Sequence, residues 1–271
     1  MVNYHSMKRF VTRFLTLTIF LAACTRSVVD SYTPIPLFET EQPITLTLSP
    51  VPVSTETATP SCGDAQTSLR IMPLGDSITY GEGDPDRGGY RKRLSALLTN
   101  DKYAFDFVGS QRSGEAILAD PDNEGHPGWR ITNIKEAIDM DGWLETYQPD
   151  VILLHIGSND LRHGNGIYVR DNLSVLLDDI LTRLPNTHVI VAQIIPTRWG
   201  SEVDQKIYND AIPNVVAAKG PQVSVVDMRD ILVKDDFMTL YHPNTNGYDK
   251  MAVAWVTAIH ALDLATDCLT P

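Results

Sequence analysis

The chain has 271 residues, 43% of them hydrophobic and 21% charged, with a formal net charge of -12. These are the proportions of a soluble globular protein, neither disordered nor built to lie within a bilayer. An acidic surface repels phosphate backbones and no Lys/Arg stripe offsets it, so nucleic acid is not an expected partner.

The N-terminal segment differs from the rest. Lys8, Arg9 and Arg13 precede the apolar run F-L-T-L-T-I-F-L-A-A, which Cys24 follows. That is the order of an export signal, and the run is short for a bilayer span. L-A-A-C at residues 21–24 resembles a bacterial lipobox, which implies a lipoprotein-type signal peptide over residues 1–24. Lipid on Cys24 would then hold a secreted protein at the bacterial membrane surface. The alternatives are a plain signal peptide and an uncleaved anchor. Residues 25–61 are rich in Thr, Pro and Ser, which reads as an extended spacer because scattered prolines interrupt helices and central strands. Residues 62–271 form the expected globular domain. The remaining cysteines, Cys62 and Cys268, lie at its two ends, and in an oxidising compartment they are a candidate disulfide, against two free thiols.

Within that domain apolar runs alternate with helical periodicity. Residues 69–75, 105–109, 151–157, 188–195 and 223–228 are short and β-branched enough to be buried strands. Residues 89–100, 132–147, 169–184, 202–219 and 244–262 carry apolar side chains at three- and four-residue spacing, as helices do. Strands that alternate with helices predict an α/β fold: a three-layer αβα sandwich with a five-stranded parallel sheet. Ligands of such sheets sit beyond the C-terminal strand ends. The clusters D-S-I-T, S-N-D, P-T-R-W and the loop holding His242 should therefore meet on one rim.

G-D-S-I-T at residues 75–79 places Ser77 where a strand ends and the chain turns, with an exposed hydroxyl expected; Asp76 or Ser77 as an ordinary turn or N-cap residue is the plain alternative. H-I-G-S-N-D at residues 155–160 ends a strand in glycine and follows with Asn159, whose amide can donate to an oxyanion.

Together with H-P-N at residues 242–244, these blocks resemble the GDSL, or SGNH, hydrolases. The likeness is nearest to family 3 carbohydrate esterases, typified by acetylxylan esterases. It rests on I-M-P-L-G-D-S-I-T, D-F-V-G-S-Q-R-S-G, E-G-H-P-G-W, P-D-V-I-L-L-H-I-G-S-N-D-L and H-P-N-x-x-G-Y-x-K-M-A, in that order. The resemblance implies a flavodoxin-like sandwich with Ser77 as nucleophile and His242 as base. Gly128, Asn159 and the Ser77 N–H would be oxyanion donors. It implies no cofactor or metal, and an acetylated polysaccharide or oligosaccharide such as xylan as substrate. A broad short-chain carboxylesterase and a carbohydrate-binding protein with degraded catalysis are the alternatives.

One position departs from the pattern. The superfamily's last block reads D-x-x-H, and Thr239 stands three before His242. The acid orients the imidazole and stabilises the imidazolium. In one serine protease its loss costs roughly 3 × 10⁴ in kcat, against about 2 × 10⁶ for the serine or base. A main-chain carbonyl of the 236–240 loop is the first candidate replacement, ahead of the Thr239 hydroxyl and of Asp235 or Asp236 folded back.

Asp76, Trp129, Arg198 and Trp199 are candidate substrate contacts. His155 and His188 fall in strands and read as core or strand-end residues, whereas His126 and His163 fall in loops near the rim, where substrate contact is open. D-P-D-N-E-G at residues 120–125 opens like a calcium loop, but Ile131 stands where the closing glutamate would be. G-E-G-D-P-D-R-G-G at residues 81–89 lacks the G-K-[ST] of a phosphate loop and reads as a turn lining the cleft.

Overall fold

The apolar runs form strands where their β-branched content predicts them. The computed structural model describes residues 68–262; the signal peptide, Cys24, the spacer, and Cys62 and Cys268 lie outside the described residues. The strands are β1 (Leu69–Gly75), β2 (Phe105–Phe107), β3 (Gln111–Arg112), β4 (Asp122–Gly125), β5 (Val151–His155), β6 (His188–Gln193) and β7 (Val223–Asp227). The helices are α1 (Ser77–Tyr80), α2 (Gly89–Asn100), α3 (Ile131–Asp141), α4 (Trp143–Tyr147), α5 (Gly166–Arg183), α6 (Glu202–Ala217) and α7 (Thr245–His260).

β1 and β5 lie at the centre, and β5, β6 and β7 run parallel to one side of β1. Along the other edge of β1, β2 pairs with its first half and β4 with its last two residues. The five expected strands are thus all parallel neighbours. Two more strands join them, and β3 pairs antiparallel with β4. Neither carries an apolar period, because the β4 sequence is DNEG, so nothing in its hydropathy marks it as a strand.

Alternation along the strands divides the core into two layers. Met72, Leu74, Ile152, Leu154, Val189 and Val191 point to one face, where they pack with residues of α3, α5 and α6. Ile71, Val151, Leu153, Ile190 and Ala192 point to the other, against residues of α2 and α7. This is the three-layer sandwich that the alternation of elements predicts.

The helix starts follow capping chemistry. Asn165, Ser201 and Asn244 each accept a backbone N–H of the first turn of α5, α6 and α7. The expected helix over 132–147 is broken at Gly142, whose φ of 64° ends α3 and starts α4. Apolar spacing continues through that break, so periodicity alone does not reveal it.

Gly75 closes β1 against its neighbour. A Cβ there would lie 2.2 Å from the His155 carbonyl oxygen and 2.6 Å from Thr79 Oγ1, so the strand can reach the rim only as glycine. Gly75→Ala is expected to destabilise the fold by about 1–3 kcal/mol, an overpacking cost, read as a lower urea midpoint with unchanged slope.

Candidate active site

The four polar clusters meet at the C-terminal rim. Ser77 opens α1, immediately after β1, and the turn is fixed by Asp76, whose carboxylate accepts the Ile78 N–H at 2.9 Å. α1 ends after one turn at Gly81, in the left-handed region at φ 97°. Ser77 Oγ lies 2.9 Å from Nε2 of His242, which comes from the loop before α7. That loop folds back on itself: Phe237 and Pro243 form an antiparallel bridge, and the His242 carbonyl accepts the N–H groups of Met238 and Thr239.

Asn159 follows β5 and faces the same place. Its Nδ2 donates to the Trp129 carbonyl at 3.0 Å and more distantly to Asp76 Oδ2 at 3.3 Å. The Trp129 carbonyl belongs to the loop after β4, which is tied to β1 by the His126 N–H donating to the Gly75 carbonyl at 3.0 Å. Gly128 in this loop is exposed, has φ +81°, and would direct a Cβ into open space. Its glycine requirement is therefore conformational and not one of close packing. Two buried carboxyls sit behind this arrangement. Burial pushes Asp76 up to about 7, with the charges of Asp160 and Glu82 adding, and Asp160 up to about 6. Asp160 also accepts the Ile131 N–H, so it fixes the start of α3.

The partner of His242 Nδ1 is Thr239 Oγ1, at 3.3 Å. The same oxygen accepts the N–H groups of Tyr241 and His242, at 3.1 and 3.0 Å. A hydroxyl has two lone pairs and one hydrogen. With both lone pairs engaged, what Thr239 offers the ring is its hydrogen, not an acceptor. The expected main-chain carbonyl is thus replaced by a hydroxyl. Asp236 is not the orienter: its buried carboxylate accepts from Val233 N, Asn246 Nδ2 and Lys250 Nζ, at 2.8, 2.6 and 2.6 Å. Asp235 is exposed, and the contact it makes to this segment is its carbonyl accepting from Asn244.

A carboxylate does meet His242, from a direction the sequence does not suggest. Glu82 Oε2 lies 3.3 Å from Nε2, on the Ser77 side of the ring. The sole signal for it was the glycine-rich G-E-G turn, since Gly83 lets the backbone approach His242: a Cβ there would lie 2.8 Å from His242 Cβ.

The aromatic and histidine candidates separate. His126 is buried, bonded through Nε2 to Glu124 at 2.6 Å and stacked 3.8 Å from Trp129, with Trp143 beyond it. Its Nε2 is thus taken up by Glu124 and its ring by the stack, of which Trp129 is part. His155 is fully buried at the end of β5, where burial lowers its pKa to about 4, as a neutral core residue requires. His188 begins β6 and His163 is exposed. Trp199 stacks on Tyr241 with ring centroids 4.0 Å apart and planes within 4°, and Arg162 lies over its other side at 4.5 Å. This stack joins the P-T-R-W loop to the residue beside His242. A cleft of about 720 Å³ opens next to it, lined by Arg198, Gln205, Lys234, Phe237 and Thr239 among others; Ser77 and His242 are not part of its lining. Among the described residues no group of three or more His, Cys, Asp or Glu is placed to hold a metal ion.

Asp236 locks the segment that carries His242, and its hydrogen bonds hold its pKa below the usual 3.8 despite burial. A depressed carboxylate stabilises the fold above its unfolded pKa and ceases to as pH falls through the folded value. Asp236→Asn is therefore expected to lower the melting temperature at pH 7, with a deficit that shrinks below about pH 4 in thermal scans.

Residues 74–250 match the GDSL-like Lipase/Acylhydrolase family. A multidomain esterase of Ruminococcus flavefaciens is 31% identical over 250 residues, 82% of this chain and 32% of that protein. The chain spans no more than about half the length of the curated relatives it matches. Among solved structures, a Clostridium thermocellum family 3 carbohydrate esterase is 39% identical with a TM-score of 0.65, over 72% of this chain and 98% of that one. A carbohydrate esterase family 3 structure from Talaromyces cellulolyticus is 27% identical with a TM-score of 0.59, over 72% and 97%. By its matched residues, its fold and the meeting of Ser77, Asn159 and His242 on one rim, the chain belongs to the GDSL-like lipase/acylhydrolase family.

Proposed function

We propose that this chain is a secreted serine esterase that removes short acyl groups, chiefly acetyl, from plant cell-wall polysaccharide such as xylan, while held at the bacterial cell surface by lipid on Cys24. The observation that carries the chemistry is the 2.9 Å contact between Ser77 Oγ and His242 Nε2, at a strand-end turn. The family 3 carbohydrate esterase likeness supports the substrate class.

In this mechanism Ser77 Oγ attacks the ester carbonyl and its proton passes to His242 Nε2. The oxyanion is met by the Ser77 and Gly128 N–H groups and by Asn159 Nδ2. Asn159 can supply a hydrogen at small cost, because its bond to Asp76 is its longer one, at 3.3 Å. His242 then protonates the departing sugar oxygen, and water, activated by the same ring, hydrolyses the acyl-enzyme. Beside His242, the Tyr241 ring, held flat by Trp199 packed on one of its faces, supplies its other face to the sugar rings on either side of the esterified one.

A second reading, a carbohydrate-binding protein with degraded catalysis, is favoured by Thr239, which gives Nδ1 no carboxylate. Acetate release from acetylated xylan separates the two. Ser77→Ala is expected to lower kcat by about 10²-fold, the margin left when an acid-less site has already lost roughly 3 × 10⁴ of about 2 × 10⁶. Unchanged acetate release in that variant rules the mechanism out, and a wild type without activity that Thr239→Asp restores favours the second reading. Trp199→Ala is expected to raise KM severalfold on polymeric xylan while leaving KM for a small acetyl ester unchanged; an equal rise on both would place Trp199 outside the glycan path.

A further inference from the structure

We propose that Glu82 is the carboxylate partner of His242 in this chain: it meets the ring at Nε2 and, with the Thr239 hydroxyl at Nδ1, holds the resting imidazole with its proton on Nε2. The kinetic consequence rests on the reading of His242 as the base; the proton's position does not.

The hydrogen-bond inventory leads there. Neutral imidazole has one N–H and one bare nitrogen. Thr239 Oγ1 already accepts two backbone N–H groups, so its free valence is a hydrogen, which suits a bare Nδ1. On the opposite side Glu82 Oε2, 3.3 Å from Nε2, can only accept when ionised, which suits a protonated Nε2. The alternative tautomer would leave an Nδ1–H facing a saturated oxygen and a lone pair facing a carboxylate. Ser77 Oγ, 2.9 Å from Nε2, can accept from a protonated Nε2 or donate to a bare one and so favours neither form, whereas Thr239 and Glu82 both favour the proton on Nε2.

Glu82 is held in place for this. Its N–H donates to the Ser77 carbonyl at 2.9 Å, and its own carbonyl accepts the Tyr248 hydroxyl at 2.6 Å. Next along the chain, Gly83 abuts the His242 backbone, and Asp84 is fixed by Lys92, Thr245 and the Gly89 N–H. The ionisable groups around the pair do not replace it. Asp76 lies buried beneath, bonded to Ile78 and Asn159; Asp84 is paired with Lys92; on the His242 segment Asp236 is paired with Lys250 and Asp235 is exposed. Among the described residues no Lys or Arg forms an ion pair with Glu82, whose side chain is 39% exposed. Burial lowers the His242 pKa and the Glu82 charge raises it.

For turnover, Ser77 must give its proton to a bare Nε2. The reactive tautomer, with the proton on Nδ1, is then the minor one. Once attack has occurred, the Oγ–C bond forms, the carbonyl electron pair moves to oxygen and Nε2 carries the serine proton, facing Glu82 and the leaving sugar oxygen together. Glu82 is thus a positioning residue that favours the charged ring and disfavours the neutral ring's reactive form.

The test is ¹⁵N–¹H NMR of the histidine rings in the full chain, titrated without substrate, with His242→Ala identifying the resonance. Wild type is expected to show the neutral ring protonated on Nε2. Glu82→Gln, with Glu82→Ala as a second variant should the first misfold, is expected to lower the titration midpoint and to shift population toward Nδ1–H. Thr239→Asp is expected to move the proton to Nδ1, and Glu82→Gln is expected to shift the acid limb of kcat/KM to lower pH. A wild-type ring protonated on Nδ1, or a midpoint and tautomer indifferent to Glu82, would overturn the proposal. Because the spectra need no turnover, a wild type lacking esterase activity would sink the proposed function and leave this result standing.

Discussion

Ser77 and His242 touch across 165 residues of sequence, and most of the architecture around them serves to make that contact possible. The serine is placed by the end of β1 and one turn of α1; the histidine, by the loop that precedes α7. What joins the two is the packing of α2 against α7 on one face of the sheet, where Tyr90 meets Trp255 at 5.9 Å and both are fully buried. Polar ties then fix the register. The Tyr248 hydroxyl reaches the Glu82 carbonyl and Thr245 reaches Asp84, so the start of α7 is bonded directly to the turn that follows the serine. Glycine at 75 and at 83 is what allows backbone to come this close on both sides.

The other half of the site depends on the opposite layer. Gly157 must be glycine because a Cβ would lie 2.6 Å from the ring of Tyr208, whose hydroxyl donates to the Ile156 carbonyl. That packing sets where the chain turns after β5 and so where Asn159 stands. Asn159 in turn holds the Trp129 carbonyl, and the Glu124–His126 pair with the Trp129 and Trp143 rings backs the loop from behind. An oxyanion donor works only if it is already in place when charge develops. Here the loop is anchored by a backbone bond to β1, a side-chain bond to the β5 loop and a buried aromatic stack.

How much of this was legible follows from which signals are local. The five parallel strands and the starts of α2, α6 and α7 follow, to within a residue, from apolar runs and period, whereas α5 begins at Gly166, three residues before the expected start, where the Asn165 cap sets it. β4 was not legible, because Asp122, Asn123, Glu124 and Gly125 are polar and become a strand only through pairing with the end of β1. Nor was the break at Gly142, where the apolar period runs on while the backbone turns left-handed. The Ser77, Asn159 and His242 positions were legible from motif context, and the exception at Thr239 was visible as a letter. Its consequence was not, since the two N–H groups that fill the Thr239 oxygen depend on the fold of the 237–243 loop. Glu82 was invisible for the same reason: its proximity to Nε2 is a tertiary fact, and the sequence shows only a glycine on each side of it. His126 is the converse case, a loop histidine for which substrate contact was open in the sequence and whose Nε2 the fold bonds to buried Glu124.

A conventional arrangement puts an acceptor at Nδ1 and leaves Nε2 free for the serine. In this chain a hydroxyl that has no lone pair to spare faces Nδ1, and an acidic side chain faces Nε2. The geometry for nucleophilic attack is present while the polarity around the ring is altered, so whether Ser77 becomes covalently acylated is the question on which everything else turns. Mass spectrometry of protein quenched during exposure to an activated acetyl ester addresses it directly. An acetyl adduct confined to the peptide containing Ser77, and absent from Ser77→Ala, is the predicted result. Turnover with no adduct on Ser77, or an adduct on another residue that persists in Ser77→Ala, would contradict it.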